Sequence, residues 1–211
     1  MLQTSQFLNR LSESATLKMA QLSRELKAQG KDVISLSLGE PDFNAPEHIR
    51  QAAKDAIDAG FDSYPPVPGY LDLREAICEK FKRENGLEFT PDQIVVSTGA
   101  KQSLANLMVS FLDEGDEVIL PAPFWVTYPE QVKMCGATVV PIYSSVDTNF
   151  KVTAAQIEAA ITPKTKFLIY SSPSNPAGSV YSKEELKAIA EVVEKHPHVY
   201  VISDEIYEHI N

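Results

Sequence analysis

Short polar segments follow several apolar runs of this sequence and contain the residue types most able to do chemistry. The first, Ser97–Gln102, brings small residues to the start of a predicted helix. Free backbone N–H groups and the helix dipole favour an anion at such a position. The segment matches neither the dinucleotide nor the nucleoside-triphosphate glycine pattern. Taken alone, the segment favours an ordinary strand-to-helix turn over an anion site.

Three further segments add a flat ring, an amide and a carboxylate. Trp125, the single tryptophan, is suited to stacking on a planar ligand, or to packing in the core. Pro173 and Pro176 stiffen the loop that presents Asn175, and either X-Pro bond can be cis. Asp204 lies just beyond the apolar run 199–202, with Ser203 between them, so we expect a partly buried carboxylate that needs a partner. A helix N-cap is the simpler alternative for Asp204.

The elements that must position these residues alternate between strand-like and helix-like periods. Continuous β-branched and aromatic runs separated by helices predict an α/β fold, in which a parallel-rich sheet is sandwiched by helices. Ligands of such sheets bind beyond the carboxyl ends of the strands, so we expect the polar segments to form one pocket. The predicted strands contain residues 94–96, 118–120, 138–142, 167–170 and 199–202.

Local signals mark several helices and their ends. Thr153 with Gln156 and Ser182 with Glu185 form capping-box patterns. Gly30 is a plausible C′ glycine. Helices are predicted over residues 16–29, 46–59, 71–84, about 100–112 and 124–134, and after each capping box. We expect residues 1–45 to form an N-terminal arm and part of a smaller domain, and residues 46–211 to form a large domain.

Composition excludes several function classes. The 211 residues include 19 Lys and Arg against 29 Asp and Glu, a net charge of −10, which disfavours nucleic acid and anionic membranes as partners. Cys78, Cys135, His196 and His198 lack metal-ligand spacing, so no metal site is predicted and the cysteines are interpreted as thiols of a reducing compartment. Neither a signal peptide nor a membrane-length apolar stretch is visible, which predicts a cytoplasmic protein.

The combined motifs resemble the fold-type I pyridoxal-5′-phosphate (PLP) aminotransferases, in particular the bacterial subgroup of class I aspartate aminotransferases. Gly-Glu-Pro-Asp-Phe at 39–43, Asn-Pro-Ala-Gly at 175–178 and Ser-Asp-Glu-Ile-Tyr at 203–207 are the most specific segments. The resemblance implies the large domain of that fold, incomplete in this chain, with an N-terminal arm. The resembling segments are 14–16, 37–43, Tyr64, 98–102, 123–129, 172–178 and 203–207.

The resemblance also implies roles toward the cofactor PLP. Trp125 would stack on the pyridine ring, and Asn175 with Tyr207 would hydrogen-bond its phenolic oxygen. Asp204 would pair with the ring nitrogen and keep it protonated. Tyr64 would reach the phosphate of a neighbouring subunit, which implies a homodimer. The backbone amides implied to hold the phosphate are those of Gly99, Ala100 and Lys101.

For substrates the resemblance implies an amino acid and a 2-oxo acid. Gly39 would contact the α-carboxylate, and Trp125 and Asn175 would line the same space. Lys101, with Thr16 beside it, would attract a distal carboxylate, which indicates aspartate or glutamate with 2-oxoglutarate or oxaloacetate, and prephenate as a further substrate. In the alternative, Lys101 only lines the phosphate pocket, which leaves other amino acids, or a related PLP lyase activity, open.

One departure from the family pattern concerns catalysis. Family members carry a Schiff-base lysine in a Ser-x-x-Lys setting beyond Ser-Asp-Glu-Ile-Tyr, and later an arginine that binds the substrate carboxylate. The 211 residues contain neither, so no catalytic residue is assigned within them. We expect the isolated chain to bind PLP weakly and non-covalently, without turnover, and to be poorly soluble. The alternative is a non-catalytic remnant of the fold that serves as a binding module.

Overall fold

A computed structural model describes residues 3–36, 39 and 42–210 of the chain. Its contacts divide the chain into two compact units, residues 1–15 with 100–211, and residues 16–99. The domain boundary predicted between residues 45 and 46 stays a prediction.

The first unit is built on a parallel four-stranded sheet. Its strand order is β2-β1-β3-β4, and every neighbouring pair is parallel. This confirms the predicted α/β class and four of the five predicted strands. The strands are β1 (Glu117–Ala122), β2 (Thr138–Tyr143), β3 (Thr165–Ser171) and β4 (Tyr200–Asp204).

Eight α-helices occur in the described part of the chain. Seven of them agree with the predicted helices to within a few residues at most ends, whereas the short α1 was not predicted. None of the described helices is long and apolar enough to cross a bilayer. They are α1 (Gln6–Asn9), α2 (Ala15–Ala28), α3 (Glu47–Asp58), α4 (Leu71–Lys80), α5 (Ala100–Phe111), α6 (Thr127–Met134), α7 (Ala154–Ala160) and α8 (Lys183–Glu194).

Helices cover both faces of the sheet. Along β1, Val118 and Leu120 pack in a core with residues of α5 and α6, whereas Ile119 packs in a second core with residues of α7 and α8. This alternation follows from the two-residue period of a strand. All three side chains are fully buried, and each such burial contributes about 1.5–3 kcal/mol to stability.

Capping boxes fix the start of α7 and α8 as predicted. The Ser182 hydroxyl accepts a hydrogen bond from the Glu185 N–H at 3.2 Å, and the Glu185 carboxylate accepts one from the Ser182 N–H at 2.6 Å. Thr153 and Gln156 make the same reciprocal pair at α7. Both helices therefore begin where side-chain acceptors satisfy their free N–H groups.

The second unit contains the one strand prediction that is wrong. Residues 94–96 form no strand; the Val96 N–H donates to the Pro68 carbonyl at 2.9 Å, and no ladder forms along the run. A strand needs a neighbour for its N–H and C=O groups, and the described residues of 16–99 supply none.

Two helix ends in this unit also differ from their predictions. Pro46 is the N-cap of α3 rather than a residue of its first turn. The α4 helix ends at Lys80, and a π-helical turn over Phe81–Asn85 completes the predicted span. Gly86 follows with φ +67°, a left-handed conformation that glycine adopts without strain.

Candidate active site

Three segments singled out in the sequence leave the sheet at one edge. Residues 123–128 follow β1, residues 172–178 follow β3, and Asp204 is the last residue of β4. Because the strands are parallel and adjacent, their carboxyl ends lie together. The fold therefore gathers the ring, the amide and the carboxylate at the edge where α/β proteins bind ligands.

Asp204 is half-buried and has a partner, as its position after the strand predicts. The Tyr128 hydroxyl donates to Asp204 Oδ2 at 2.6 Å, and the Ile206 N–H donates to Oδ1 at 3.3 Å. A hydrogen-bonded turn rather than a helix follows, so Asp204 is not a helix N-cap. Both carboxylate oxygens retain a free lone pair for a further donor.

Tyr128 is 2% exposed and belongs to α6. Burial raises the pKa of its phenol far above the ordinary value, and the hydrogen bond to Asp204 raises it further. The phenol therefore remains protonated at every physiological pH. It is a permanent donor that fixes one oxygen of the Asp204 carboxylate.

Trp125 lies between this pair and the start of α5. Its ring meets that of Tyr128 edge to face, with centroids 5.6 Å apart and planes at 88°. The Lys101 Nζ lies 5.0 Å from the Trp125 ring centroid, within cation–π distance. The ring is half-buried and packs partly against the core, as the second interpretation of the single tryptophan predicts, whereas its stacking on a planar ligand stays a prediction.

Asn175 and Tyr207 form a second polar pair. The Asn175 Nδ2 donates to the Tyr207 hydroxyl at 3.3 Å, and both side chains are half-buried. An open pocket is lined by these two residues, by Pro173 and Pro176, and by Ile210. The Ser172–Pro173 and Asn175–Pro176 bonds are both cis.

The start of α5 carries the backbone amides that the resemblance implies for the phosphate. Ala100 and Lys101 are its first two residues and are exposed, and their N–H groups have no acceptor in the preceding turn of the helix. Gly99 has φ +83°, which glycine tolerates. Its own N–H, however, donates to the Ser97 carbonyl at 2.8 Å, so this amide is already engaged.

Besides Gly99, three residues assigned by the resemblance belong to the unit of residues 16–99. Thr16 is half-buried in α2, Gly39 is exposed, and the Tyr64 side chain is fully exposed. Their roles toward cofactor or substrate stay predictions. Four residues of the 37–43 motif, Ser37, Leu38, Glu40 and Pro41, lie outside the described residues.

Two further polar residues of this site carried no role in the sequence analysis. Tyr128 holds Asp204, and the Gln131 side chain donates from Nε2 to the Lys101 carbonyl at 2.9 Å. Both are buried in α6, three residues apart, and so lie on one face of the helix. In the sequence, the only local indication of Tyr128 and Gln131 is that polar residues occupy positions of α6 that face the core.

The remaining candidate ligands stay apart from this site. Cys78 and Cys135 are free, half-buried thiols, and burial raises the pKa of Cys135. The His198 ring nitrogen Nε2 lies 3.1 Å from the Thr162 carbonyl oxygen, and the His196 and His198 rings meet edge to face. Neither these histidines nor the cysteines belong to a cluster of three ligands among the described residues.

The chain is similar to proteins of a known family over most of its length. Residues 31–210 match the model of the aminotransferase class I and II family. The chain belongs to this family. The aspartate/prephenate aminotransferase of Cereibacter sphaeroides is 52% identical over 206 residues, which cover 98% of this chain and 52% of that protein. The chain spans about half the length of the relatives it matches.

Solved structures of the family have the same fold. The aspartate aminotransferase from Rhizobium meliloti superposes with a TM-score of 0.96 at 44% identity, covering 100% of this chain and 52% of that one. The aspartate aminotransferase from Thermus thermophilus with maleate gives 0.94 at 44% identity, covering 99% of this chain and 55% of that one. These matches confirm the fold class and the family resemblance.

Proposed function

We propose that these residues form the cofactor-binding part of a PLP-dependent aminotransferase. The observation that carries the proposal is the Asp204 carboxylate at the end of β4, fixed by a neutral phenol at 2.6 Å beside the Trp125 ring. A half-buried anion next to a flat aromatic suits a protonated heterocycle. The family membership supports the same conclusion.

The donor set fits the chemistry of PLP. Asp204 offers a carboxylate for the ring nitrogen, and Trp125 offers a surface for the ring. Asn175 and Tyr207 offer donors for a phenolate oxygen. The first turn of α5 offers N–H groups for a phosphate. When bound, PLP supplies an electron sink that stabilises a carbanion at the substrate Cα.

The residues of the chain then do three things. Asp204 keeps a proton on the ring nitrogen, because a nearby anion raises the pKa of a cationic acid. Tyr128 holds Asp204 in one orientation without competing for that proton, since its own pKa is raised. Trp125 limits access of water to one side of the site, because its ring is packed against Tyr128.

The proposed substrates are aspartate or glutamate as donors, and 2-oxoglutarate or oxaloacetate as acceptors, with prephenate as a further acceptor. Relatives named aspartate/prephenate aminotransferase support this class, as does the Thermus thermophilus enzyme with maleate, a dicarboxylate. In this chain the exposed Lys101 ammonium is the group that would attract a distal carboxylate, with Thr16 contributing. Gly39 would contact the α-carboxylate.

We also propose how the protein assembles and where in the cell it acts. A homodimer in the cytoplasm is proposed, with Tyr64 reaching the cofactor phosphate of the neighbouring subunit. The fully exposed Tyr64 side chain supports this, because an exposed aromatic ring is accessible to a partner.

Trp125 provides the test, because it is the single tryptophan and lies in the proposed site. Adding PLP to the 211-residue chain is expected to quench its fluorescence with saturation. Asp204→Ala is expected to weaken this binding by about tenfold, the loss of one charge-assisted hydrogen bond. Aminotransferase assays of the full-length gene product against aspartate, tyrosine and alanine then rank donors. Absence of saturable quenching in the wild-type chain would overturn the cofactor proposal.

A further inference from the structure

Gln131 is a buried polar residue to which the proposed function assigns no part. Its side chain is 7% exposed in α6. Its Nε2 donates to the Lys101 carbonyl at 2.9 Å, and its buried Oε1 has no hydrogen-bond partner among the residues that the structure describes. A buried acceptor without a partner costs about 1–3 kcal/mol, which an apolar residue of similar size would avoid. The side-chain hydrogen bond to the Lys101 carbonyl is therefore the feature that distinguishes Gln131.

That bond reaches the part of α5 that would face a phosphate. Lys101 is the second residue of the helix, so its carbonyl belongs to the first turn. The first turn of a helix is prone to fraying, because its N–H groups lack partners within the helix. A bond from a buried side chain of α6 ties this turn to the core.

The same helix also holds the other end of the proposed site. Tyr128, three residues before Gln131 on the same buried face, donates to Asp204. One turn of α6 thus contacts both the Asp204 carboxylate and the first turn of α5. The spacing between the two groups depends on a single rigid element.

We propose that Gln131 is a positioning residue for the cofactor phosphate. It holds the first turn of α5 in the conformation in which the backbone N–H groups of residues 100 and 101 face outward, so that binding does not have to order them. This inference rests on the proposed function, and it concerns affinity for the phosphate group rather than for the ring. Preorganisation of this kind acts by lowering the ordering cost of binding.

The test compares two ligands that differ only in the phosphate. Dissociation constants of PLP and of pyridoxal are measured by quenching of Trp125 fluorescence in the wild-type chain and in Gln131→Met. The variant is expected to bind PLP about threefold to tenfold more weakly, the worth of one hydrogen bond. Its affinity for pyridoxal is expected to change less than about twofold, so the preference for the phosphorylated ligand falls.

A second readout needs no ligand. Amide hydrogen exchange at residues 100–103 is expected to be faster in Gln131→Met than in the wild-type chain, whereas exchange in α8 stays the same. Gln131→Leu also removes the donor, without introducing a charge near the phosphate, and is expected to shift both readouts in the same direction. This second variant covers the case in which methionine alone unfolds the chain.

Gln156→Met is the matched control. Gln156 accepts hydrogen bonds at the capping box of α7, a helix whose core contacts lie on the opposite face of the sheet. The control is expected to lower stability but to leave the ratio of the two dissociation constants unchanged. Equal weakening of PLP and pyridoxal by Gln131→Met, or no weakening, would overturn the inference alone. Failure of the wild-type chain to bind either ligand would overturn the proposed function and this inference with it.

Discussion

Replacing Tyr128 by phenylalanine removes a single oxygen atom from the buried face of α6. The ring fills the same space, so the core packing around it is retained, and what is lost is the hydrogen bond to Asp204 together with an interaction with the Ser171 side chain. Tyr128→Phe is therefore the cleanest perturbation of the carboxylate in the proposed site. We expect it to lower the free energy of unfolding.

The magnitude follows from the geometry of the pair. A hydrogen bond to a charged group contributes about 1.5–3 kcal/mol. The 2.6 Å distance and the 2% exposure of Tyr128 favour the upper part of this range. Asp204, however, is only half-buried and keeps the Ile206 N–H as a donor, so water can replace the lost partner. We therefore expect a loss of about 1.5 kcal/mol.

Urea denaturation of the 211-residue chain, followed by far-ultraviolet circular dichroism, measures this loss. A double-mutant cycle with Asp204→Ala isolates the pair, because the two single losses then contain the same hydrogen bond. We expect the two substitutions to be non-additive by at least about 1 kcal/mol. Fluorescence is unsuited to this measurement, because the Trp125 ring touches Tyr128 directly.

Tyr181→Phe is the matched control for the loss of a buried phenol oxygen. Tyr181 is 8% exposed, and its hydroxyl accepts a hydrogen bond from the Val152 N–H at 3.0 Å. It should cost about 1 kcal/mol by itself and add without coupling to Asp204→Ala. If Tyr128→Phe were also additive with Asp204→Ala, within about 0.5 kcal/mol, the assignment of Tyr128 as the residue that fixes Asp204 would be refuted.

Three further outcomes are expected. The hydrogen bond from Lys151 lowers the pKa of Glu185, so this carboxylate adds stability above its unfolded pKa that disappears as pH falls. Glu185→Gln keeps the capping acceptor but loses the charge. In urea titrations it should cost about 0.2–1 kcal/mol at pH 7 and nothing near pH 3. Gly86→Ala should cost about 1 kcal/mol through its positive φ alone, seen as a lower urea midpoint, since nothing would touch the added methyl group. Met108→Ala should cost about 2–5 kcal/mol in the same assay, because a fully buried side chain leaves a cavity; a loss under 1 kcal/mol would contradict its place in the core.

Features set by neighbours in sequence were predictable, whereas features set by distant partners were not. The capping boxes at Ser182 and Thr153 depend on residues three positions apart, and both form as predicted. The strand predicted at 94–96 failed, because apolar β-branched residues indicate only a tendency, and a ladder requires a second strand. The same residues are compatible with an extended segment in which the Ile94 N–H donates to the Pro91 carbonyl and the Val96 N–H to the Pro68 carbonyl.

In the site, too, features set by sequence neighbours were predictable and those set by distant partners were not. The position of Asp204 after an apolar run predicted a half-buried acid that needs a partner, and the structure confirms both points. The identity of that partner depends on a contact across 76 residues, which spacing alone does not reveal. The bond between Gln131 and Lys101 spans 30 residues and is hidden in the same way. Sequence therefore indicates the chemistry of the site more readily than the side chains that orient it.

The position of Pro141 within β2 has a consequence for self-association. Strand β2 lies at one end of the sheet, with Pro141 opposite Leu120 of β1. A proline nitrogen carries no hydrogen, so a strand from another molecule that aligned along β2 would find a missing donor in the middle of the ladder. Addition of further strands at this edge of the sheet is therefore unfavourable. Fibril growth from β2 should be slow unless Pro141 is replaced by a residue with an N–H group.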